Sequence, residues 1–201
     1  MRIGVFGGSF DPIHHAHLIV ARLAIEQLAL DRVLFLVAGA QPFKQGIHAA
    51  TAAHRLRMVE LGLEGIPDCI ADGRELRRPP PSYTVDSLRE LKREEPSAEL
   101  VLIMGADVAG GLGGWREPDE VRRLATIAVC RRMVNAGVQV GAGRAHPDSP
   151  SAGAEIDVPA IDISSTAVRL RAAAGLPLTG WVPLAVADYI VASQLYRSPR
   201  G

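Results

Sequence analysis

The sequence predicts an α/β protein: a doubly wound, parallel sheet flanked by helices, in a single domain over residues 1–201. Three observations carry this. Apolar runs of strand length alternate with segments of helical periodicity along most of the chain, the pattern of successive βαβ units. The second such run, Val33-Leu34-Phe35-Leu36-Val37, is continuously apolar and suits a parallel strand covered on both faces. A length of 201 residues fills one such domain and falls short of two large ones.

Composition narrows the function classes. Apolar content of 48% with 22 basic and 22 acidic residues describes a soluble globular chain, and a balanced charge gives no electrostatic footprint for nucleic acid. No stretch reaches the roughly 18 apolar residues of a membrane span, so the expectation is a cytoplasmic protein without membrane contact. Cys69 and Cys130 each read as a buried strand thiol, and neither has a second cysteine at metal spacing. Assembly stays open, homo-oligomers included.

In order, Ile3-Gly4-Val5-Phe6 reads as the first strand, with Gly7 and Gly8 as a tight turn. Pro12 suits a first helical turn, and Leu18, Ala21, Ile25 and Leu28 form the buried face of that helix. Strand two ends near Val37, followed by a loop from Gly39 to Ala50 that carries Pro42, Phe43 and Lys44. Thr51 caps a helix through Leu56, Val59 and Leu63, on which His54, Arg55 and Arg57 read as a solvated face. A strand from Asp68 to Ala71 follows, then the extended Pro79-Pro80-Pro81. Thr84 reads as N-cap of a helix through Val85, Leu88 and Leu91. Leu100 to Met104 is the most hydrophobic strand. It is followed by Asp107 and by a glycine-rich segment, Gly110 to Gly114, that leads to Trp115. Ala125 to Arg131 is a fifth strand. The segment 134–157, poor in large apolar residues, reads as a surface loop insert. A helix starts at about residue 164 and ends at Gly175, and Pro183 opens a last one through Val186, Ile190 and Leu195.

Chemistry concentrates at the helix starts. A strand, a glycine turn and a helix N-terminus bring free N–H groups to an anion. His14 and His17, three residues apart, would stand on one side of that helix and grip phosphate oxygens; the helix dipole would keep them neutral until a polyphosphate arrives. Ser164 and Ser165 before an apolar helix, with Arg169 one turn on, offer neutral donors and one guanidinium to phosphate. A capping box would account for the serines, but its Glu or Gln is absent. Taken alone, Lys44 reads as a solvated loop lysine, Asp107 as a ribose ligand or a helix cap, and Trp115 as packing.

The residues Gly7-Gly8-Ser9-Phe10-Asp11-Pro12-Ile13-His14 through His17 resemble the T/HxGH signature of nucleotidyltransferases, in the GSFDPIHxGH form of bacterial nicotinate-nucleotide adenylyltransferases, with Ala16 at the motif's glycine. Four further stretches are similar to the same family: Pro42-Phe43-Lys44 (against Pro-His-Lys), Ser82 to Leu88, Gly105-Ala106-Asp107 to Trp115-Arg116, and Ile163 to Arg169. The ending Val182-Pro183 to Leu195-Tyr196 follows its C-terminal pattern. The resemblance implies a Rossmann-like nucleotidyltransferase fold. It places ATP at Gly7, Gly8, Ser9, Phe10, His14, His17, Ile163, Ser164, Ser165 and Arg169, and the pyridine nucleotide at Thr84, Gly105, Asp107, Trp115 and Arg116. His14, His17, Lys44 and Arg169 become the catalytic set, and Mg²⁺ rides mainly on the ATP phosphates without a protein metal cage.

The expected activity is adenylyl transfer from ATP to nicotinate mononucleotide, with pyrophosphate leaving. N–H groups at Thr84 and along the glycine run would meet the nicotinate carboxylate. Two alternatives stand beside it: a pantetheine-phosphate adenylyltransferase sharing the histidine signature, and a nucleotide sensor without turnover.

Overall fold

The computed structural model describes residues 1–39, 49–133 and 153–197. Among these, six strands form one sheet: β1 (Arg2–Gly8), β2 (Arg32–Val37), β3 (Cys69–Asp72), β4 (Glu99–Gly105), β5 (Ala125–Met133) and β6 (Ala154–Pro159). Their order is β3-β2-β1-β4-β5-β6, and every neighbouring pair is parallel. The helices are α1 (His15–Leu28), α2 (Ala52–Leu63), α3 (Thr84–Glu94), α4 (Ala106–Ala109), α5 (Pro118–Leu124), α6 (Ser165–Ala173) and α7 (Leu184–Ala192). None described is long and apolar enough to cross a membrane.

Alternation along the central strands divides the core into two layers. Val33, Phe35 and Val37 of β2, with Val101 and Ile103 of β4, face the layer of α1, α2, α6 and α7. Leu34 and Leu36, with Leu100, Leu102 and Met104, face that of α3 and α5. Each such side chain stabilises by about 1.5 to 3 kcal/mol on burial, so the continuously apolar strands are what a twice-covered sheet requires. Gly4 lets the first layer close in: a Cβ there would meet Leu30 and Val33 at 2.9 Å.

Four sequence expectations change. β1 runs through Gly7 and Gly8, so the turn comes after the glycines. α1 begins only at His15, with His14 as N-cap, and Pro12 lies ahead of the helix in a turn. The surface loop expected over 134–157 ends in the edge strand β6, whose Ile156 and Val158 point into the core; residues 134–152 lie outside the described ones. And α5, which the sequence reading left out, covers the second layer through Val121. Cys69 and Cys130 do stand in strands, where burial pushes both thiols up to about 11 and keeps them unreactive at neutral pH.

Candidate active site

Strand order reverses between β1 and β4, and in a parallel sheet the crevice beyond that switch is where ligands bind. A cavity of about 430 Å³ opens there. Its walls take Gly7, Gly8 and Ser9 from the end of β1, Gly105 from the end of β4 and Asp107 from α4, Tyr83 and Thr84 from the start of α3, and Trp115 and Arg116. All five residues expected for the pyridine nucleotide therefore line one cavity. A Cβ at Gly7 or Gly105 would meet nothing, which leaves the space above the strand ends free. The Arg116 guanidinium lies over the Tyr83 ring, 4.6 Å from its centroid.

Two details of this wall differ from expectation. Tyr83 is the N-cap of α3, and Thr84 is its first helical residue. Helix geometry leaves the N–H groups of Thr84 and Val85 without intrahelical partners, so donors to an anion remain. The glycine run is different: the amides of Gly110, Gly111, Gly114 and Trp115 are spent on turn bonds to Ala106, Val108, Gly111 and Leu112. The start of α3 therefore offers free neutral donors on this side, and the run contributes the indole, half-buried against the second core layer.

At the N-terminus of α1 the His14 and His17 rings stack, centroids 3.7 Å apart and planes at 22°. The His14 backbone N–H donates to His17 Nδ1 at 3.2 Å, which leaves the proton of a neutral His17 on Nε2, ready to donate. Among the described residues His14 Nδ1 is buried without a partner. Burial, then the neighbouring His15, lowers His14 to about 4; burial, then His14, holds His17 well below 6.5. Both are neutral at pH 7, as the sequence suggested, but desolvation is the leading cause where the helix dipole had been expected. The Phe6 ring, 5.9 Å from His17, lines the cavity and joins the pair to it.

Phe10 can reach a nucleotide only through its backbone. Only 2% exposed and held at φ 47°, its ring wedges beneath His17 at 5.0 Å and against Phe6 and Phe35 at 5.7 and 5.4 Å. A Cβ at Gly8 would collide with that ring at 2.9 Å, so the glycine is required by packing.

The start of α6 docks on the same loop. Ser164 caps it by accepting from the Ala167 N–H at 3.2 Å, while the Ser165 hydroxyl donates to the Pro12 carbonyl at 2.8 Å. Arg169 Nη1 donates to the Asp11 carbonyl at 2.7 Å and Nη2 to Thr166 Oγ1 at 3.2 Å. Among the described residues these are two of its five N–H donors put to use. Ile163 packs against the core, so only its backbone can reach a nucleotide. Pro42, Phe43 and Lys44 lie outside the described residues.

Sequence reading missed three residues here. Arg55, placed on a solvated face, is 2% exposed, and its Nη1 donates to the Ser9 carbonyl at 2.8 Å. Burial lowers its pKa, opposed by Asp11, Tyr196 and Glu75. Its signal was the spacing: Arg55, Met58, Val59, Gly62 and Leu63 form the inward stripe of α2. Glu75, just beyond β3, lines the cavity and accepts from the Gly39 N–H and the Ser87 hydroxyl, both at 3.0 Å. Tyr196 donates to the Asp11 carboxylate at 2.6 Å.

A parallel sheet in this order, with a paired histidine at the first helix start beside the switch-point cavity, defines the class of α/β nucleotidyltransferases. The model of the cytidylyltransferase-like family matches residues 5–171. Proteins named probable nicotinate-nucleotide adenylyltransferase from Thermomicrobium roseum and Thermus thermophilus are 44% and 42% identical, over 98% of this chain and 92% and 100% of theirs. The fold is similar to that of Plasmodium falciparum nicotinic acid mononucleotide adenylyltransferase complexed with NaAD, at TM-score 0.72 and 18% identity over 97% of each chain. The chain belongs to the cytidylyltransferase-like family and, within it, to the nicotinate-nucleotide adenylyltransferases.

Proposed function

We infer that this enzyme transfers the adenylyl group of ATP to nicotinate mononucleotide, giving nicotinate adenine dinucleotide and pyrophosphate, a step of NAD synthesis in the cytoplasm. The observation that carries the reading is the meeting of the acceptor cavity with the neutral His14 and His17 pair across Phe6. An oxygen of the mononucleotide phosphate attacks the α-phosphorus, the α–β bridging bond breaks, and pyrophosphate carries away the electron pair. No covalent enzyme intermediate is needed, so positioning and charge stabilisation supply the rate.

The ATP phosphates lie along Gly7, Gly8 and Ser9 and over the α1 start, gripped by His14 and His17. As charge develops on pyrophosphate, each imidazole donates a hydrogen bond, and a proton taken up with the triphosphate strengthens it. Arg169 supplies a fixed positive charge, Ser164 caps its helix, and Ser165 holds the helix start against the loop. Lys44 is assigned to the same phosphates by its place in the sequence. A Mg²⁺ held mainly by the nucleotide would neutralise phosphate charge. Thr84, Gly105, Asp107, Trp115 and Arg116 hold the mononucleotide, with the indole against the pyridine ring.

Pyrophosphate release with ATP and either nicotinate mononucleotide or phosphopantetheine tests the reading. Turnover confined to the first acceptor is expected. Turnover with the second moves the assignment to the pantetheine enzymes, and none with either leaves a nucleotide sensor.

A further inference from the structure

The segment from Ser9 to His14 carries the first imidazole but lies outside helix and sheet, and its shape is imposed by other elements. Its carbonyls at Ser9, Asp11 and Pro12 accept from Arg55 of α2 at 2.8 Å, Arg169 of α6 at 2.7 Å and Ser165 at 2.8 Å. Its one carboxylate, Asp11, is 4% exposed. Oδ1 accepts the Tyr196 hydroxyl at 2.6 Å and the Ala50 N–H at 3.2 Å, and Oδ2 accepts the Ala49 N–H at 2.8 Å. A single buried carboxylate thus joins the histidine segment, the lead-in to α2 and a turn 185 positions further along the chain.

We propose that Tyr196 and Asp11 form a positioning pair for adenylyl transfer: the hydroxyl of Tyr196 fixes the Asp11 carboxylate, which fixes the histidine segment. The proposal rests on the reading that His14 and His17 hold phosphates. Tyr196 acts through Asp11 and touches neither nucleotide. A short bond from a neutral hydroxyl to a carboxylate is strong and directional, and burial together with Asp11 keeps that hydroxyl protonated, able only to donate here. Because α1 starts directly after this segment, a shift of Asp11 is carried into the His14 backbone N–H that orients His17 Nδ1. Misplacement of reacting groups by about 1 Å costs up to about a hundredfold in rate, so a fraction of that shift suffices for a clear effect.

The test is Tyr196→Phe, which keeps the ring and removes the hydroxyl. Expected are a kcat lower by roughly tenfold and KM for both nucleotides within about twofold, read well below a melting temperature that falls by only the few degrees that loss of one hydrogen bond to a carboxylate costs. The imidazole ¹⁵N signals of His14 and His17 in the free enzyme should move. Asp11→Asn turns an NH₂ toward the Ala49 N–H and should cost more; adding Tyr196→Phe to it should cost little further, since both act on one contact. A wild-type kcat in Tyr196→Phe, unmoved imidazole signals, or fully additive losses in the double variant would overturn the pair. Failure of wild-type protein to release pyrophosphate would overturn the functional reading instead, while the imidazole signals still report whether the pair positions the loop.

Discussion

The two sides of the site are built by opposite means. On the phosphate side, the histidine segment is buried and tied by side chains from α2, α6 and the C-terminal turn; Asp11 and His14 are 4% and 5% exposed. On the acceptor side, Asp107, Gly111 and Arg116 are exposed, α4 spans only four residues, and a Cβ at Gly105, Gly113 or Gly114 would meet nothing. The lesson is a division of labour. On the proposed reading, groups are fixed in advance where charge moves, at the cost of burying polar atoms, and room is left where a substrate is chosen.

The sharpest check falls on the acceptor side. The free N–H groups at the start of α3 match the two oxygens of a nicotinate carboxylate, whereas nicotinamide would turn its own NH₂ against one of them. kcat/KM for nicotinate mononucleotide should exceed that for the amide by up to about 10⁴-fold. Trp115→Ala should lower both values and keep their ratio. Equal values for the two acceptors would mean that this side selects by shape alone.

Next comes the phosphate side. His14→Ala and His17→Ala should each lower kcat by roughly 100- to 1,000-fold, about 2.7 to 4 kcal/mol of transition-state stabilisation, with the fold retained. Near wild-type turnover in both would dissolve the contrast between the sides. Arg169→Lys keeps charge but loses the planar fork that reaches the Asp11 carbonyl and Thr166 together; a loss of about tenfold in kcat/KM for ATP is expected. A variant kinetically equal to wild type would reduce Arg169 to a surface charge.

A different measure of the buried side is stability in acid. With its pKa lowered from 6.5 to about 4, His14 stays neutral when folded while the unfolded chain takes up the proton. Unfolding is therefore favoured as pH falls from 6.5 toward 4, with a slope of up to about 1.4 kcal/mol per pH unit, and the contribution is whole again above 6.5. His17 acts in the same sense. Urea midpoints at pH 7 and pH 5 should diverge less in His14→Gln than in wild type; an equal divergence would mean that His14 is solvated.

How legible each side was follows from range. β2 and the Thr51 cap of α2 were read in place, because a continuous apolar run and a cap are local signals. The residues assigned to the acceptor came from separate motifs that share one cavity wall, which is all the sequence could show of them. β6 was not legible, because its inward Ile156 and Val158 make a short alternation submerged in a long stretch of small residues. α5 has two apolar side chains, Val121 and Leu124, too few for a stripe. The ties of the phosphate side were hidden for another reason: the Asp11 to Tyr196 bond spans 185 positions, and no local pattern encodes it.

The clash at Gly8 has a consequence for how this site can vary. Residues 8 and 10 occupy one volume, since the Phe10 ring fills the place of a Cβ on Gly8, 2.9 Å away. Enlarging residue 8 alone evicts the ring; shrinking residue 10 alone leaves a hole beneath His17, whose imidazole rests 5.0 Å from it. A library that varies one position at a time would find both intolerant, whereas a paired exchange, larger at 8 and smaller at 10, conserves volume and becomes a handle for moving the imidazole without touching it.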